Sequence, residues 1–313
     1  ALPAGGLSRG GRPTTRLGMV DYEPKRWWAL VFSLRGTVLR GVLFRVVVSA
    51  AIGALAVYLR SHEGIAVPPL AHTLIGAALA LLLVFRTNAS YDRYWEGRRM
   101  IGVVTNRTRD LCRQLATLCE LDEPTRTRLG RWLVAFYRLG AQWLRDEREL
   151  SALAPLLEPA ERARLEPLVA RPFAVLAWVT REIGDRVRRG ELDVVLVLPF
   201  ERNLGEMTEA LESCDRIRRT PVPFAYAHHI KVFVALFCFT VPFAMVDAMG
   251  VYVPVASAIL AFALFGIDEI GVEIEDPFGY DPNDLPLDAI GLTIERTVQE
   301  LLDVRFERTG EGA

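Results

Sequence analysis

Cysteine, histidine and lysine are all scarce in this 313-residue sequence. There are four cysteines and four histidines, and the only lysines are Lys25 and Lys231. The cysteines show no CxxC spacing, so the common zinc and dithiol motifs are missing and we expect free thiols. The sequence also has no P-loop, no dinucleotide-binding glycine motif and no nucleophile elbow. It therefore predicts no enzyme, no cofactor and no bound metal.

An excess of charge of either sign is missing as well. The 37 Lys and Arg residues nearly balance the 38 Asp and Glu residues, for a formal net charge of −1. Basic residues alternate with acidic ones, as they do on solvated helix faces. A nucleic-acid partner is not expected, because it would need an unpaired basic surface.

Long apolar segments are abundant. The sequence is 51% hydrophobic with a mean hydropathy of +0.22, although 24% of its residues are charged, so apolar and charged residues occupy separate blocks. Four segments approach the roughly 20 residues that a helix needs to cross a lipid bilayer. They are residues 38–59, 69–86, 230–247 and 250–268.

The distribution of arginine predicts how these segments are oriented. Loop 60–68 has one arginine and the link near Asp247 has no Lys or Arg, whereas nearly all other basic residues precede residue 46 or lie between residues 86 and 231. The positive-inside rule then places both termini and the long middle region in the cytoplasm. Four crossings are consistent with that placement.

We predict five regions along the chain. They are a disordered lead-in (1–20), an interfacial helix with the first transmembrane hairpin (21–87), a helical cytosolic domain (88–229), the second hairpin (230–268), and an acidic turn with a C-terminal cytosolic helix (269–313). The middle region is predicted to be helical because its apolar residues recur three and four apart, without a convincing sheet pattern. The predicted fold class is an all-α membrane protein.

Four local motifs, in this order, resemble the bestrophins, and in particular their bacterial branch. They are FRTNASYDRYWEGR at 85–98, CDRI at 214–217, TPVPFAY at 220–226 and EDPFGYDPNDLPLD at 275–288. The resemblance covers about residues 25–305. It implies a homopentamer in the bacterial inner (plasma) membrane, with a central pore for small monovalent ions and chloride as the family default. The second crossing of each subunit would line a narrow neck, and the cytosolic helices would enclose a vestibule with a second constriction.

The resemblance also assigns residues to these constrictions. The neck would be lined by Ala77, Leu81 and Phe85, whose spacing of four puts them on one helix face. Five copies of such a face would form a hydrophobic constriction that can close by dewetting. Packing against lipid or another helix is the alternative for this stripe. The cytosolic aperture would fall on Met207, or one turn earlier on Leu204, with core packing again as the alternative.

An acidic segment follows the last predicted crossing, with Glu269, Glu273, Asp276, Asp281 and Asp284. Eukaryotic bestrophins hold calcium near this segment. The segment here follows no EF-hand order and lacks an uninterrupted run of aspartates. We therefore expect no calcium site, but a folded turn whose carboxylates cap helices and pair with arginines.

Two alternatives to an anion channel stay open. An apolar neck favours neither sign of charge, so a sodium-selective channel of the same architecture is one. The other is a non-conducting membrane scaffold or sensor whose helical domain binds a partner. The reversal potential would distinguish a sodium channel from an anion channel, and ion flux and oligomeric state would distinguish a channel from a scaffold.

Overall fold

The computed structural model describes residues 14–16, 19–21, 27–32 and 37–306. Two short strands come first, β1 (Thr14–Arg16) and β2 (Met19–Asp21). The helices that follow are α1 (Trp27–Val31), α2 (Leu39–Glu63), α3 (Pro69–Leu118), α4 (Glu123–Leu144), α5 (Pro159–Leu165), α6 (Arg171–Arg188), α7 (Val197–Arg219), α8 (Phe224–Met249), α9 (Val253–Glu273) and α10 (Leu287–Leu302). Three 3₁₀ turns lie between them, at Ser151–Leu153, Val194–Leu196 and Gly250–Tyr252. The prediction of an α-helical fold is confirmed.

The two strands differ from the sequence prediction. They form an antiparallel hairpin in which Thr14 lies opposite Asp21; β1 and the first two residues of β2 fall inside the region 1–20 that was predicted to be a disordered lead-in. Residues 1–13, 17 and 18 lie outside the described residues. Strands of three residues are too short to give an apolar alternation, so the sequence pattern could not reveal them.

The chain divides into two compact units. Unit 1 comprises Ala1–Tyr94, Pro221–Asp276 and Asp281–Asn283, and unit 2 comprises Trp95–Thr220, Pro277–Tyr280 and Asp284–Ala313. The division falls within α3, after Tyr94.

Unit 1 is built around α2, α8, α9 and the first part of α3. Helix α9 packs along α2 and α8, and the shared core includes Val42, Leu83, Val234 and Phe265 from the four helices. At Gly53 the α2 backbone comes so close to α9 that a Cβ atom would lie 2.9 Å from the Cα of Pro254. Close helix contacts through small residues are typical of membrane helices.

Three stretches of the described chain are long and apolar enough to cross a membrane, by length and composition: Leu39–Glu63, Pro69–Leu118 and Phe224–Glu273. The third contains both α8 and α9, separated at Gly250, where φ is 52° and ψ is −127°. Such a positive φ suits glycine, which has no Cβ. Pro242 lies inside α8 without ending it. Each of the four apolar sequence segments falls largely within one of α2, α3, α8 and α9.

Unit 2 is a helical bundle centred on α4. This helix packs against α6, α7 and α10, and Leu133 and Phe136 at its centre are 0% and 1% exposed. Pro124 lies in the first turn of α4, where the missing N–H costs no hydrogen bond. The three- and four-residue spacing of apolar residues in this part of the sequence therefore did indicate buried helix.

Candidate functional site

The three predicted neck residues form one exposed stripe on α3. Leu81 and Phe85 are each 56% exposed, and Ala77 is exposed as well. At a rise of 1.5 Å per residue, the stripe extends over about 12 Å of helix. The structure thus places these side chains together on a surface that a single chain leaves uncovered.

The opposite face of the same helix segment packs inside unit 1. Leu79 and Leu83 are 0% and 2% exposed and belong to the core shared with the neighbouring helices. This part of the helix is therefore apolar on two opposite faces, but only the face with Leu79 and Leu83 packs against other helices of the same chain. Towards its N-terminus the exposed side continues with Leu70 and Leu74, at 71% and 67% exposure.

Arg86 follows Phe85 directly in sequence but is buried. Its side chain is 2% exposed, and its Nε lies 3.3 Å from Oδ1 of Asp268 on α9. Lys231 Nζ donates a hydrogen bond of 3.1 Å to the other oxygen of Asp268. A Cβ atom at Gly271 would lie 3.4 Å from Arg86 Nε, so the absence of a side chain there helps the arginine to fit. Consecutive residues of α3 thus carry an exposed aromatic ring and a buried, paired cation.

Glu275 lies at the other side of the Arg86 guanidinium. Its Oε2 is 4.0 Å from Arg86 Nη2, and its Oε1 accepts a hydrogen bond of 2.8 Å from the backbone N–H of Val222. Arg93 Nε donates to the backbone carbonyl of Glu275 at 3.2 Å. These contacts connect α3 to the segments that precede α8 and follow α9, all within unit 1.

The charged motif at 85–98 connects α3 to residues that are distant in sequence. Arg86 forms an ion pair with Asp268, and Arg93 donates a hydrogen bond to the backbone carbonyl of Glu275; both partners are more than 180 residues away in sequence. An ion pair along the helix itself is found farther on, between Glu96 and Arg99 at 2.6 Å.

The acidic segment does not form a common site in the described part of the chain, where no group of three or more His, Cys, Asp or Glu side chains could hold a metal ion. Glu269 pairs with Arg45 of α2 at 2.8 Å. Glu273 Oε1 accepts a hydrogen bond of 2.8 Å from Asn283 Nδ2. Asp276 and Asp281 lie in the turn after α9 and are exposed, whereas Asp284 in the same turn is 4% exposed.

The predicted cytosolic aperture is contradicted by the structure. Met207 and Leu204 are 0% and 3% exposed, because the face of α7 that carries them packs within unit 2. A side chain enclosed by its own chain cannot line an open passage, so core packing is the role of both residues.

A different part of unit 2 exposes apolar side chains. Val194, Val195 and Leu198 are 65%, 66% and 72% exposed, in the 3₁₀ turn and the first residues of α7. Asp193 fixes the start of this turn by accepting a hydrogen bond of 2.9 Å from the Val195 N–H. The signal in the sequence is the apolar run VVLVL at 194–198, which has neither strand-like alternation nor a helical period.

Comparisons with known proteins agree with the four motifs. Residues 19–300 match the family model described as bacterial/fungal bestrophin protein. A voltage-dependent anion channel-forming protein of Nostoc sp. is 37% identical over 296 residues, covering 92% of this chain and 96% of the relative. One of the same description from Ralstonia nicotianae is 35% identical over 297 residues, covering 91% and 94%. The crystal structure of a bacterial bestrophin homologue from Klebsiella pneumoniae superposes with a TM-score of 0.81 at 30% identity, covering 84% of this chain and 99% of that one.

These matches extend over nearly the whole chain and include solved structures of the same fold. The resemblance inferred from the four motifs is confirmed: the chain belongs to the bacterial and fungal bestrophin family and is a membrane protein.

Proposed function

We propose that the protein is a homopentameric channel that conducts small monovalent anions, with chloride as the physiological candidate, across a bacterial inner membrane. The observation that carries the proposal is the exposed stripe of Ala77, Leu81 and Phe85 on α3. Five copies of this stripe around an axis form the neck. Its apolar lining lets a small change in width decide whether water and ions enter.

The two-faced character of α3 supports this assignment. Leu79 and Leu83 already bind α3 to its own subunit, so the exposed face is free to contact an axis or a second subunit. Lipid contact alone would also suit an apolar face. A pore lining differs from lipid contact in one testable respect: shortening a side chain there changes ion flux.

The proposed topology has four crossings, α2, the N-terminal part of α3, α8 and α9, with both termini in the cytoplasm. The turn at Gly250 and the packing of α8 against α9 support counting Phe224–Glu273 as two crossings rather than one. A single helix of 50 residues would be about 75 Å long, more than twice the hydrocarbon thickness of a bilayer.

We place the second constriction at Val194, Val195 and Leu198. Exposed apolar side chains clustered at one turn of a helical unit call for cover by another surface or for a role in a passage. A residue that lines a passage must be exposed in the single chain. Val194 and Val195 are exposed, whereas Met207 is buried. A ring of five valine side chains gives a short apolar aperture.

The sign of the permeating ion is supported by the relatives, which are described as voltage-dependent anion channel-forming proteins. The proposed neck residues carry no charge, and Arg86, the next residue after Phe85, is buried in an ion pair with Asp268. Selectivity therefore depends on groups outside the neck.

Planar-bilayer recording with the purified protein in asymmetric NaCl tests the proposal. A reversal potential near the chloride equilibrium value supports it, and one near the sodium equilibrium value makes the protein a cation channel. Leu81→Ala and Phe85→Ala are expected to raise conductance or change ion selectivity, whereas Ala77→Phe is expected to lower conductance. Ile259→Ala on α9 is the matched control, because Ile259 is 66% exposed on a different membrane helix. If the protein showed no ion flux and had the mass of a monomer, the channel proposal would be wrong and the scaffold or sensor alternative would remain.

A further inference from the structure

Unit 1 contains a cavity of about 490 Å³ at the end of α9. Its walls include Tyr91 and Tyr94 of α3, Ile270 and Glu273 of α9, Val38 just before α2, and Asn283. Its volume suits a small organic molecule or the head group of a lipid.

Glu273 gives this cavity its charge. Its carboxylate accepts one hydrogen bond, from the neutral Asn283 side chain at 2.8 Å. Within the described ranges, Glu273 has no ion pair with Lys or Arg, whereas Glu269 one turn earlier is paired with Arg45 at 2.8 Å. Glu273 is half-buried, and a carboxylate that lies partly against apolar walls without a cationic partner is unfavourable, so a cation is the complementary occupant.

The remaining walls favour an organic cation over a metal ion. Calcium needs six to eight oxygen ligands, and no group of three candidate metal ligands exists among the described residues. Tyrosine rings, by contrast, attract ammonium groups through the negative potential of their faces, as in the aromatic cages that bind choline and methyl-lysine. Val38 and Ile270 offer apolar surface to the alkyl carbons of such a group.

We propose that this cavity binds an organic ammonium group, with Glu273 as its counterion and Tyr91 and Tyr94 as aromatic walls. The cavity lies one turn beyond Glu269, where the proposed fourth crossing ends, and tyrosine is typical of the membrane interface. The ammonium can therefore come from a soluble amine or from an ethanolamine phospholipid. Binding is measured without ion current, so its outcome is independent of the proposed conduction.

Titration calorimetry of the full-length protein in detergent, with tetramethylammonium as the probe, tests the site. Loss of the counterion in Glu273→Gln is expected to weaken binding about tenfold, the effect of one charge-assisted interaction. Glu300→Gln is the matched control, because Glu300 is exposed on α10 in unit 2 and lies outside the cavity. Unchanged affinity in Glu273→Gln overturns the proposal.

A second pair of variants covers the case in which Glu273→Gln does not fold. Tyr91 is 57% exposed, so its replacement is tolerated. Tyr91→Phe keeps the ring and is expected to keep the affinity, whereas Tyr91→Leu is expected to lower it several-fold. Equal affinity in both variants refutes the aromatic wall.

Two further measurements identify the occupant. In nanodiscs, weaker apparent binding of tetramethylammonium in ethanolamine phospholipid than in phosphatidylglycerol supports a lipid head group as the occupant, and equal binding supports a soluble amine. Displacement of tetramethylammonium by micromolar Ca²⁺ would make this an inorganic cation site and would overturn the proposal.

Discussion

The buried charges beside Phe85 give a quantitative prediction. In Asp268→Asn, the negative charge that lies 3.3 Å from the Arg86 guanidinium and 3.1 Å from the Lys231 ammonium is lost, and one carboxylate oxygen is replaced by an amide NH₂ group. Glu275 remains, but at 4.0 Å from Arg86. A buried charge that loses its partner costs about 3–5 kcal/mol, so we expect Asp268→Asn to lower the free energy of unfolding by about that amount.

The complementary substitution is expected to be milder. In Arg86→Met, Asp268 keeps its hydrogen bond from Lys231, and we expect a loss of about 1–3 kcal/mol, the cost of one weakened buried polar group. The double variant should lose less than the sum of the single variants, because removing both partners leaves no isolated buried charge.

Titration with SDS in mixed micelles, followed by tryptophan fluorescence, measures these differences. Arg99→Met is the control, since Arg99 pairs with Glu96 at 2.6 Å but its side chain is 63% exposed. Exposed pairs contribute below about 1 kcal/mol. If Arg86→Met and Arg99→Met shifted the unfolding midpoint equally, burial of the Arg86 pair would not stabilise unit 1 and the reasoning would be refuted.

Two more predictions concern one unit each. Gly53→Ala is expected to destabilise unit 1 by about 1–3 kcal/mol through overpacking, because the added Cβ would lie 2.9 Å from the backbone of Pro254; thermal unfolding should show Gly266→Ala, with its nearest atom at 4.0 Å, to be much milder. In unit 2, a hydrogen bond from Arg202 lowers the pKa of Glu206 below its ordinary 4.5. Because the pKa of Glu206 is lower in the folded state than in the unfolded state, its ionised carboxylate stabilises the fold at pH values above the unfolded-state pKa. This contribution is lost as the pH falls below about 4.5. The melting temperatures of wild type and Glu206→Gln should therefore differ at pH 7 and converge towards pH 3, and a constant difference would contradict the assignment.

Much of the helical framework could be predicted from the sequence. Apolar length alone located α2, α8 and α9, because few other structures need about 20 successive apolar residues. The end of α3 could not be predicted in the same way. Its apolar part stops near Phe85, yet the helix continues to Leu118, since the charged residues that follow are good helix formers and no proline interrupts them.

The sites were harder to predict, for two physical reasons. A helical period shows that residues share a face, but it does not show which face is buried. For that reason the Met207 prediction was wrong, and the sequence did not indicate that Val194 and Val195, which we propose for the second constriction, are exposed. Partners distant in sequence are also invisible to local patterns, and the pairing of Arg86 with Asp268 spans 182 residues. The neck assignment of Ala77, Leu81 and Phe85 stays a prediction, to be tested by conductance.

The adjacency of Phe85 and Arg86 limits how the proposed neck can open. Turning α3 about its own axis to swing Phe85 aside would pull Arg86 away from Asp268, at a cost of several kcal/mol. Opening by axial rotation is thus energetically unfavourable. A change in the Phe85 rotamer, or an outward movement of the whole subunit, would widen the neck and leave the ion pair intact.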